Sequence, residues 1–424
     1  MQGRRRFLKH LIASTSLGAL NLSGIGLGQN LDSHTDWSPA GLEGEAFWKD
    51  VRKQYTFYPN QIYLNSATIG LIPIPVRLAI EKNFASLAQG KYYLPHEPRE
   101  KVAEFLGADV SEISLTHNTT EGINIIANGL PFRRKDEIII TDHEHVGNAF
   151  PWLNRARLSG LRFKVFTPAP TAAETLNRIA SLITRRTRII AVPHITCTTG
   201  QILPIRAIAS LARSKGIWSF VDGAHGPGST ALDMHDLGCD FYATCGHKWL
   251  CAPAGIGMLY IRKEMLDTVE AHMVGAYSGM GWTLNHQEQS MLSLTQSAHR
   301  FDYGTQNKAL ILGLQDAVEF MQTIGLEKIY ARGRTLAAYL QEKLLALPHV
   351  EMLTPTEKKS RGTIIGFKVK GRSLDYFRKH PQLMHFRVRI VPESNLDSLR
   401  ISTHLFNTYA ELDEFVDFIE KTKP

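Results

Sequence analysis

The stretch CDFYATCGHKWLCAPAGIGMLYIRK, from Cys239 to Lys263, contains a lysine in an unusual position. Lys248 lies in a largely apolar run, directly after a Gly-His pair and before a turn rich in glycine and proline. Lysine is normally a solvated surface charge, and burying it without a partner is costly. The side chain of Lys248 therefore either extends to water or serves as a reactive amine, and the rest of the chain must decide between the two.

The segments around this stretch alternate between short β-branched or apolar runs and helical patterns. Strands are predicted at 137–141, 163–167, 188–194, 218–223 and 255–261, and helices at 120–128, 172–182, 205–215 and 310–323. This alternation predicts a mostly parallel sheet with helices on both faces. Past about Leu326 the pattern changes to a helix at 329–347, strands at 363–369 and 386–391, and a final helix at 409–421. We interpret this change as the start of a second, smaller α+β domain.

Polar residues follow several of the predicted strands at the point where each strand ends. They are Thr119 and Thr120, His143 and His145, the segment 194–200, and the segment 222–225. Open α/β sheets bind ligands beyond the carboxyl ends of their strands, often with a phosphate at a helix N-terminus. The sequence therefore predicts one site at this edge of the sheet.

Asp222 and Lys248 indicate the chemistry of that site. Asp222 ends an apolar strand, so its carboxylate needs a cationic or proton-donating partner there. An amine, a strand-end carboxylate and a hydroxyl-rich helix start are what pyridoxal phosphate (PLP) chemistry uses: an imine lysine, a group that keeps the pyridine nitrogen protonated, and a phosphate cup. The sequence thus favours the second reading of Lys248, a reactive amine.

Seven ordered segments resemble the class V family of fold-type I PLP enzymes, which includes cysteine desulfurases, selenocysteine lyases, kynureninase and isopenicillin N epimerase. The resemblance runs from about Ile62 to the C-terminus. The segments are YLNSATIG (63–70), THNTTEGIN (116–124), EHVGNAFPW (144–152), VDGAH (221–225), GHKW (246–249), FDYGTQN (301–307) and LRISTHLFNTYAELDEFV (399–416). The resemblance implies an α/β fold with a mostly parallel seven-stranded sheet in a large domain, plus a smaller α+β C-terminal domain.

The resemblance also implies how this chain holds PLP. Lys248 would form the imine, Asp222 would face the pyridine nitrogen, and His145 would stack on the pyridine ring. These three are the implied catalytic residues, and the other implied cofactor-binding residues are Thr119, Thr120, His225, His247 and Thr305.

Substrate and assembly follow from the same resemblance. Arg400 would bind the carboxylate of an amino-acid-like substrate, and Asn65 lies in the segment that resembles the family's substrate loop. Gly304 and Thr305 lie in a segment that reaches the phosphate of the neighbouring subunit, so the resemblance implies a homodimer.

Three departures from the desulfurase pattern narrow the function. No cysteine occurs between His385 and Arg400, where desulfurases need a nucleophilic cysteine. Cys197 stands where an asparagine near the ring oxygen is common, and Cys245 stands where a phosphate-binding serine is common. Together with His225, the short cysteine-free segment resembles the isopenicillin N epimerase-like branch.

The implied function is therefore action at the Cα of an amino acid or amino-acid-like substrate, by epimerase-like or aminotransferase-like chemistry. One alternative is a PLP-dependent C–S lyase of the selenocysteine lyase or desulfurase type. Another is a PLP-binding protein with little catalysis, although a mere binder does not need Arg400. An NAD-linked oxidoreductase is disfavoured, since no glycine-rich strand–helix turn is present.

The N-terminus resembles an export signal. Arg4 to Lys9, RRRFLK, resembles the twin-arginine signature and precedes an uncharged stretch. We expect a signal peptide at 1–28, an arm with a helix at 29–60, a large domain at 61–308 and a small domain at 309–424. Export by the twin-arginine translocase would place the protein in the periplasm or outside the cell, and the alternative is a cytoplasmic protein with a basic tail.

The overall charge does not indicate nucleic acid as a partner. The chain of 424 residues has a formal charge of +8, of which four charges belong to Arg4, Arg5, Arg6 and Lys9. No long basic run occurs elsewhere. His143 and His145 suggest metal ligands two residues apart on a strand, but no third ligand is evident nearby, so no metal is expected.

Overall fold

The computed structural model describes residues 37–39, 41–92 and 98–423. The predicted signal peptide lies outside these residues, as does most of the arm that precedes its helix. Among the described residues, none of the helices has the length and apolar character needed to cross a membrane.

The large sheet has seven strands in the order β2-β8-β7-β6-β5-β3-β4. They are β2 (Ile113–Thr116), β3 (Glu137–Thr141), β4 (Arg162–Phe166), β5 (Thr187–Pro193), β6 (Trp218–Asp222), β7 (Phe241–Cys245) and β8 (Gly257–Ile261). Strand β8 is antiparallel to both of its neighbours, and the other pairs are parallel. The predicted mostly parallel seven-stranded sheet is confirmed, and each of the five strands predicted around it is found within two residues of its expected bounds.

Helices precede, connect and follow these strands along the chain. They are α1 (Gly44–Arg52), α2 (Ile74–Ala88), α3 (Pro98–Leu106), α4 (Thr119–Gly129), α5 (Val146–Ser159), α6 (Ala172–Leu182), α7 (Ile205–Ser214), α8 (Met234–Leu237) and α9 (Lys308–Ile324). Helix α4 packs on β7 and β8. Its Ile123 and Ile126 are fully buried with Phe220 and Phe241 of the sheet. Burying such side chains stabilises the layer by roughly 1.5–3 kcal/mol each.

The C-terminal part of the chain forms a second layer around its own core. Its helices are α10 (Leu326–Leu345), α11 (Leu374–Lys379) and α12 (Tyr409–Glu420), and its four-stranded antiparallel sheet has the order β11-β12-β15-β14. These strands are β11 (Val350–Met352), β12 (Ile364–Val369), β14 (Arg389–Val391) and β15 (Ser398–Ser402). Phe367, Leu340 and Phe415 lie in its core. The smaller α+β unit expected from the sequence is confirmed.

One strand prediction is wrong. The segment 386–391 forms two strands, β13 (Phe386–Arg387) and β14, because its two halves pair with different neighbours. Strand β13 is parallel to β1 (Ile62–Tyr63), whereas β14 is antiparallel to β15. Ile62 and Leu64 consequently pack in the C-terminal core. The domain boundaries stated from the sequence stay a prediction.

A hairpin of two short strands, β9 (Trp282–Leu284) and β10 (Gln289–Met291), lies between β8 and α9. Its apolar side chains are largely exposed, and Trp282 has 75% of its surface accessible.

Candidate active site

A cavity of about 340 Å³ lies at the carboxyl ends of the large sheet's strands. Eight of the ten residues singled out from the sequence line it: Thr119, Thr120, His145, Asp222, His225, His247, Lys248 and Arg400. Asn65 does not line the cavity, but its Oδ1 accepts a hydrogen bond at 3.3 Å from Nη2 of Arg400, which does. Thr305 is exposed and does not line the cavity.

Lys248 lies on the tight turn that follows β7, and its side chain reaches the cavity. The Gly70 amide donates to the His247 carbonyl at 2.7 Å and holds this turn in place. A Cβ on residue 70 would lie 1.9 Å from the Lys248 carbonyl oxygen, so only glycine fits there. Lys248 Nζ is 3.4 Å from His225 Nε2. The lysine in the apolar run is half-buried and is therefore presented to the cavity as an amine.

Asp222 faces the same cavity from the end of β6. Its carboxylate is buried, and Oδ1 accepts a hydrogen bond from the Ala224 amide at 3.0 Å. Burial raises the pKa of Asp222, while the Ala224 amide and the charge of Lys248 act in the opposite direction. A ligand group that carries a proton or positive charge is therefore favoured beside this carboxylate.

His145 immediately precedes α5 and caps that helix. Its Nδ1 accepts a hydrogen bond from the Gly147 amide at 3.0 Å, so the ring hydrogen of the neutral form is on Nε2. Burial, followed by the charge of Lys248, lowers the pKa of His145 to about 4. The ring is therefore uncharged at neutral pH, and an uncharged flat ring is suited to stacking on an aromatic ligand.

His143 and His145 follow β3, as the strand predicted at 137–141 implies, and do not lie on a strand as the metal-ligand reading assumed. Strand β3 ends at Thr141, and both histidines belong to the loop before α5. His143 Nδ1 is 2.8 Å from Thr198 Oγ1, so it already has a partner. Within the ranges described, the one group of three possible metal ligands is Asp109, Glu112 and His235, which lies outside the cavity.

The N-terminus of α4 provides an anion-binding end to the cavity. Asn118 caps this helix by accepting a hydrogen bond from the Glu121 amide, and the first two helical residues, Thr119 and Thr120, line the cavity. The buried His247 Nδ1 has no hydrogen-bond partner in the part of the chain that is described, and the Thr119 hydroxyl has only the weak Cys245 thiol beside it. Such unmatched groups at a helix N-terminus suit a phosphate.

Arg400 also lines the cavity. It lies on β15 and is only 1% exposed. Its guanidinium donates to the Cys197 carbonyl at 2.9 Å, to Thr68 Oγ1 at 2.7 Å and to Asn65 Oδ1. None of these acceptors is a carboxylate, and burial together with Arg389 lowers the pKa of Arg400 to about 9. A buried cation with neutral acceptors is a binding site for a carboxylate.

Sequence reasoning missed two charged residues at this site. Arg389 lines the cavity opposite Arg400 across the β14–β15 pair and forms an ion pair with Glu393. Glu144 is buried next to the cavity, where burial raises its pKa well above the usual value, and it accepts a hydrogen bond from Asn148 Nδ2 at 2.8 Å. The alternating arginines of FRVRIV were the available signal for Arg389. Because the segment was predicted to be a single strand, nothing in the sequence placed Arg389 at the site.

The four cysteines are all buried and none is in a disulfide. Cys197 and Cys245 line the cavity, whereas Cys239 and Cys251 do not. Burial raises the pKa of each thiol. They are therefore thiols rather than thiolates at neutral pH, as expected for core or site-lining cysteines.

The segment 301–307 is fixed next to β2. Asp302 forms an ion pair with Arg99 at 2.9 Å and accepts a hydrogen bond from Ser114 Oγ at 2.6 Å. Gln306 Nε2 donates to the Leu115 carbonyl at 2.5 Å. These contacts leave Thr305 on the surface between two anchored residues, and its contact with a neighbouring subunit stays a prediction.

Comparisons with known proteins agree with this geometry. The aminotransferase class-V family profile matches residues 82–380. A probable cysteine desulfurase of Borreliella burgdorferi is 33% identical over 76% of this chain and 80% of its own, and the isopenicillin N epimerase of Amycolatopsis lactamdurans is 27% identical over 88% and 98%. A solved structure of a C-DES mutant with glycine covalently linked to the PLP cofactor superposes with a TM-score of 0.79, at 25% identity over 87% of this chain and 98% of that one. The chain described here belongs to the aminotransferase class-V family.

Proposed function

We propose that this chain is a PLP-dependent enzyme that moves a proton at the Cα of an amino acid or amino-acid-like substrate. The observation that carries the proposal is the arrangement around one cavity of a lysine amine, a buried carboxylate, a helix N-terminus and a buried arginine. The amine of Lys248 and the carboxyl of Asp222 fit the reactive end and ring nitrogen of PLP, and Thr119, Thr120 and His247 fit its phosphate. Arg400 remains for the carboxylate of the substrate.

PLP bound in this cavity supplies a ring that withdraws electrons from the substrate's Cα. Asp222 holds a proton at the ring nitrogen and thereby strengthens that withdrawal. Arg400 fixes the substrate carboxylate, which orients the bonds at Cα relative to Lys248. The amine of Lys248 then accepts the Cα proton and returns a proton, as a general base and acid does. Asp222 and Arg400 are buried and Lys248 is half-buried, which limits the access of bulk water to that exchange.

The loop between β14 and β15 favours epimerase-like or aminotransferase-like chemistry over desulfuration through a persulfide. It comprises residues 392–397 and contains no cysteine. Ser394 Oγ donates to the Asp142 carbonyl at 2.6 Å, which attaches this loop to the end of β3. Cys197, whose carbonyl accepts a hydrogen bond from Arg400, has a cavity-lining thiol that burial keeps protonated. The loop therefore offers no thiolate nucleophile.

A C–S lyase is the second candidate. The solved structures that resemble this chain include a complex of the cystine C–S lyase C-DES with its product cysteine persulfide, at 25% identity and a TM-score of 0.78. Lyase chemistry by loss of a β-substituent starts with the same removal of the Cα proton, and it needs no cysteine nucleophile on the enzyme.

A panel of amino acids in deuterated water, with and without an α-keto acid, tests the proposed function. We expect solvent deuterium at Cα, measured by NMR and mass spectrometry. Inversion at Cα identifies an epimerase, and amine transfer that depends on the keto acid identifies an aminotransferase. Release of pyruvate or sulfide from β-substituted substrates would favour the C–S lyase over the epimerase and the aminotransferase. Absence of Cα exchange with every amine would contradict the proposal and favour a PLP-binding protein with little catalysis.

The proposed active unit is a homodimer in which Thr305 of each chain contacts the cofactor phosphate of the other. The exposed Thr305 between anchored neighbours supports this assembly, as does a row of exposed apolar side chains on α5: Val146, Phe150, Leu153 and Leu158. Sedimentation analysis is expected to give twice the chain mass, and Thr305→Ala should weaken PLP retention. A monomer with full cofactor occupancy would contradict the assembly.

The proposed location is the periplasm or the cell exterior, reached by twin-arginine export of the folded, cofactor-loaded protein. The segment RRRFLK at the N-terminus supports this proposal. Replacing Arg4 and Arg5 by lysine is expected to keep the protein in the cytoplasm, as judged by cell fractionation. Unchanged fractionation would favour the cytoplasmic alternative.

A further inference from the structure

Trp249 follows Lys248 directly, but its indole ring contacts His225 rather than the cavity. Trp249 Nε1 donates a hydrogen bond to His225 Nδ1 at 3.1 Å, and both side chains are buried. On the other side of the imidazole ring, His225 Nε2 is 3.4 Å from Lys248 Nζ. His225 therefore connects the tryptophan to the amine of the site.

The chemistry of the indole group decides which nitrogen of His225 carries hydrogen. An indole N–H only donates, so His225 Nδ1 must be the acceptor of this bond. Burial, followed by the charges of Lys248 and Arg400, holds the pKa of His225 well below its usual value, so the ring is neutral. A neutral imidazole that accepts at Nδ1 carries its single hydrogen on Nε2, the nitrogen that faces Lys248.

The indole ring is itself held in a fixed orientation. Trp249 is 1% exposed and packs in a buried cluster with Ala67, Ile195 and Ile364. Its carbonyl oxygen is 2.8 Å from His404 Nε2, and its ring makes an edge contact with the His404 ring. The direction of the N–H group is therefore fixed by packing on all sides.

We propose that Trp249 is a positioning residue that fixes His225 as an Nε2–H hydrogen-bond donor beside Lys248. A protonated lysine amine has only N–H donors and cannot accept a hydrogen bond. The Nε2–H of His225 therefore suits the lone pair of an uncharged Lys248 amine, or an electron-rich ligand atom next to Nζ. Without the indole N–H, the other tautomer becomes accessible and presents a lone pair at the same place. The relevance of the Nε2–H tautomer to catalysis rests on the proposed function, but the assignment of that tautomer does not.

The substitution Trp249→Phe removes the N–H group and keeps an aromatic ring. Trp152→Phe is the matched control, because Trp152 is equally buried and donates to Asn148 Oδ1 at 2.9 Å but does not line the cavity. Long-range nitrogen–proton NMR on full-length protein with labelled histidine reports the tautomer, and loss of the signal in His225→Gln assigns it. We expect an Nε2–H tautomer for His225 in the unchanged protein and in Trp152→Phe, and the Nδ1–H form to appear in Trp249→Phe.

The pH titration of the visible absorbance of the PLP-loaded protein provides a second readout. Loss of a donor beside Lys248 in Trp249→Phe is expected to shift the midpoint by about half to one pH unit. A glutamine at position 225 has an amide donor that needs no tryptophan. In the His225→Gln background, Trp249→Phe is therefore expected to cause no further shift.

An Nδ1–H tautomer in the unchanged protein would overturn the proposal, and this result does not depend on how well any variant folds. An unaltered tautomer in folded Trp249→Phe would also overturn it, as would an equal absorbance shift in the His225→Gln background. A protein that shows the expected tautomer but no Cα exchange with any amino acid would contradict the proposed function alone.

Discussion

Replacing Lys248 by alanine is expected to lower the rate of Cα deuterium exchange by on the order of 10⁴-fold, which is the upper range for loss of a positioned acid–base group. Lys248 is the one lysine that lines the cavity among the residues described, so no neighbouring amine can take its place. The exchange is measured in deuterated water with the substrate that the amino-acid panel identifies. Alanine also removes the covalent attachment of PLP, so the variant must be assayed with the cofactor in excess.

Lys215→Ala is the control for this experiment, because Lys215 is an exposed residue at the end of α7. It is expected to leave the exchange rate unchanged. Added methylamine should restore part of the activity of Lys248→Ala, since a small free amine can enter the vacated space and accept the proton. An exchange rate in Lys248→Ala within tenfold of the unchanged protein would contradict the role of Lys248 as acid and base.

Replacing Arg400 by methionine is expected to weaken binding of amino acids that carry a free carboxylate. Hydrogen bonds to a charged group contribute about 1.5–3 kcal/mol, which corresponds to an increase in KM of about 10- to 150-fold. Methionine keeps much of the volume of the buried side chain, although it leaves the Cys197 carbonyl and the Thr68 hydroxyl without their donor. The measurement is KM and kcat for one amino acid and for the corresponding amine without its carboxylate.

The amine distinguishes a carboxylate-binding role of Arg400 from a structural one. A loss of carboxylate binding raises KM for the amino acid and leaves KM for the amine unchanged, whereas a distorted site impairs both. Arg387→Met is the matched control, because Arg387 is an exposed arginine on β13. Equal losses for the amino acid and the amine in Arg400→Met would show that Arg400 maintains the fold and does not select the substrate.

Much of the site was predictable because parallel strands place their carboxyl ends at one edge of a sheet. His145 and Asp222 follow the strands predicted at 137–141 and 218–223, so strand assignment placed them at one edge, whereas Thr119 was placed there by the predicted helix start and Lys248 by the family resemblance. The apolar run of β3 is fully buried and that of β6 is buried apart from Trp218, which explains why local patterns were sufficient there.

The parts that could not be predicted depend on contacts between segments that are distant in the sequence. The position of Arg389 follows from the register of β14 against β15 and from the break between β13 and β14. The bond between Trp249 and His225 depends on how two neighbouring loops pack, and no sequence pattern encodes it. In the GHKW segment the tryptophan looks like an ordinary core residue.

The most direct test of the central claim is borohydride reduction of the PLP-loaded protein, followed by peptide mass mapping. Borohydride reduces the C=N bond between the lysine nitrogen and the cofactor to a stable secondary amine. We expect the visible absorbance to disappear and the added cofactor mass to be found on Lys248, within the peptide that contains GHKW. A stable adduct on a different lysine, or the absence of any adduct in protein with bound PLP, would contradict the claim that this cavity holds the cofactor through Lys248.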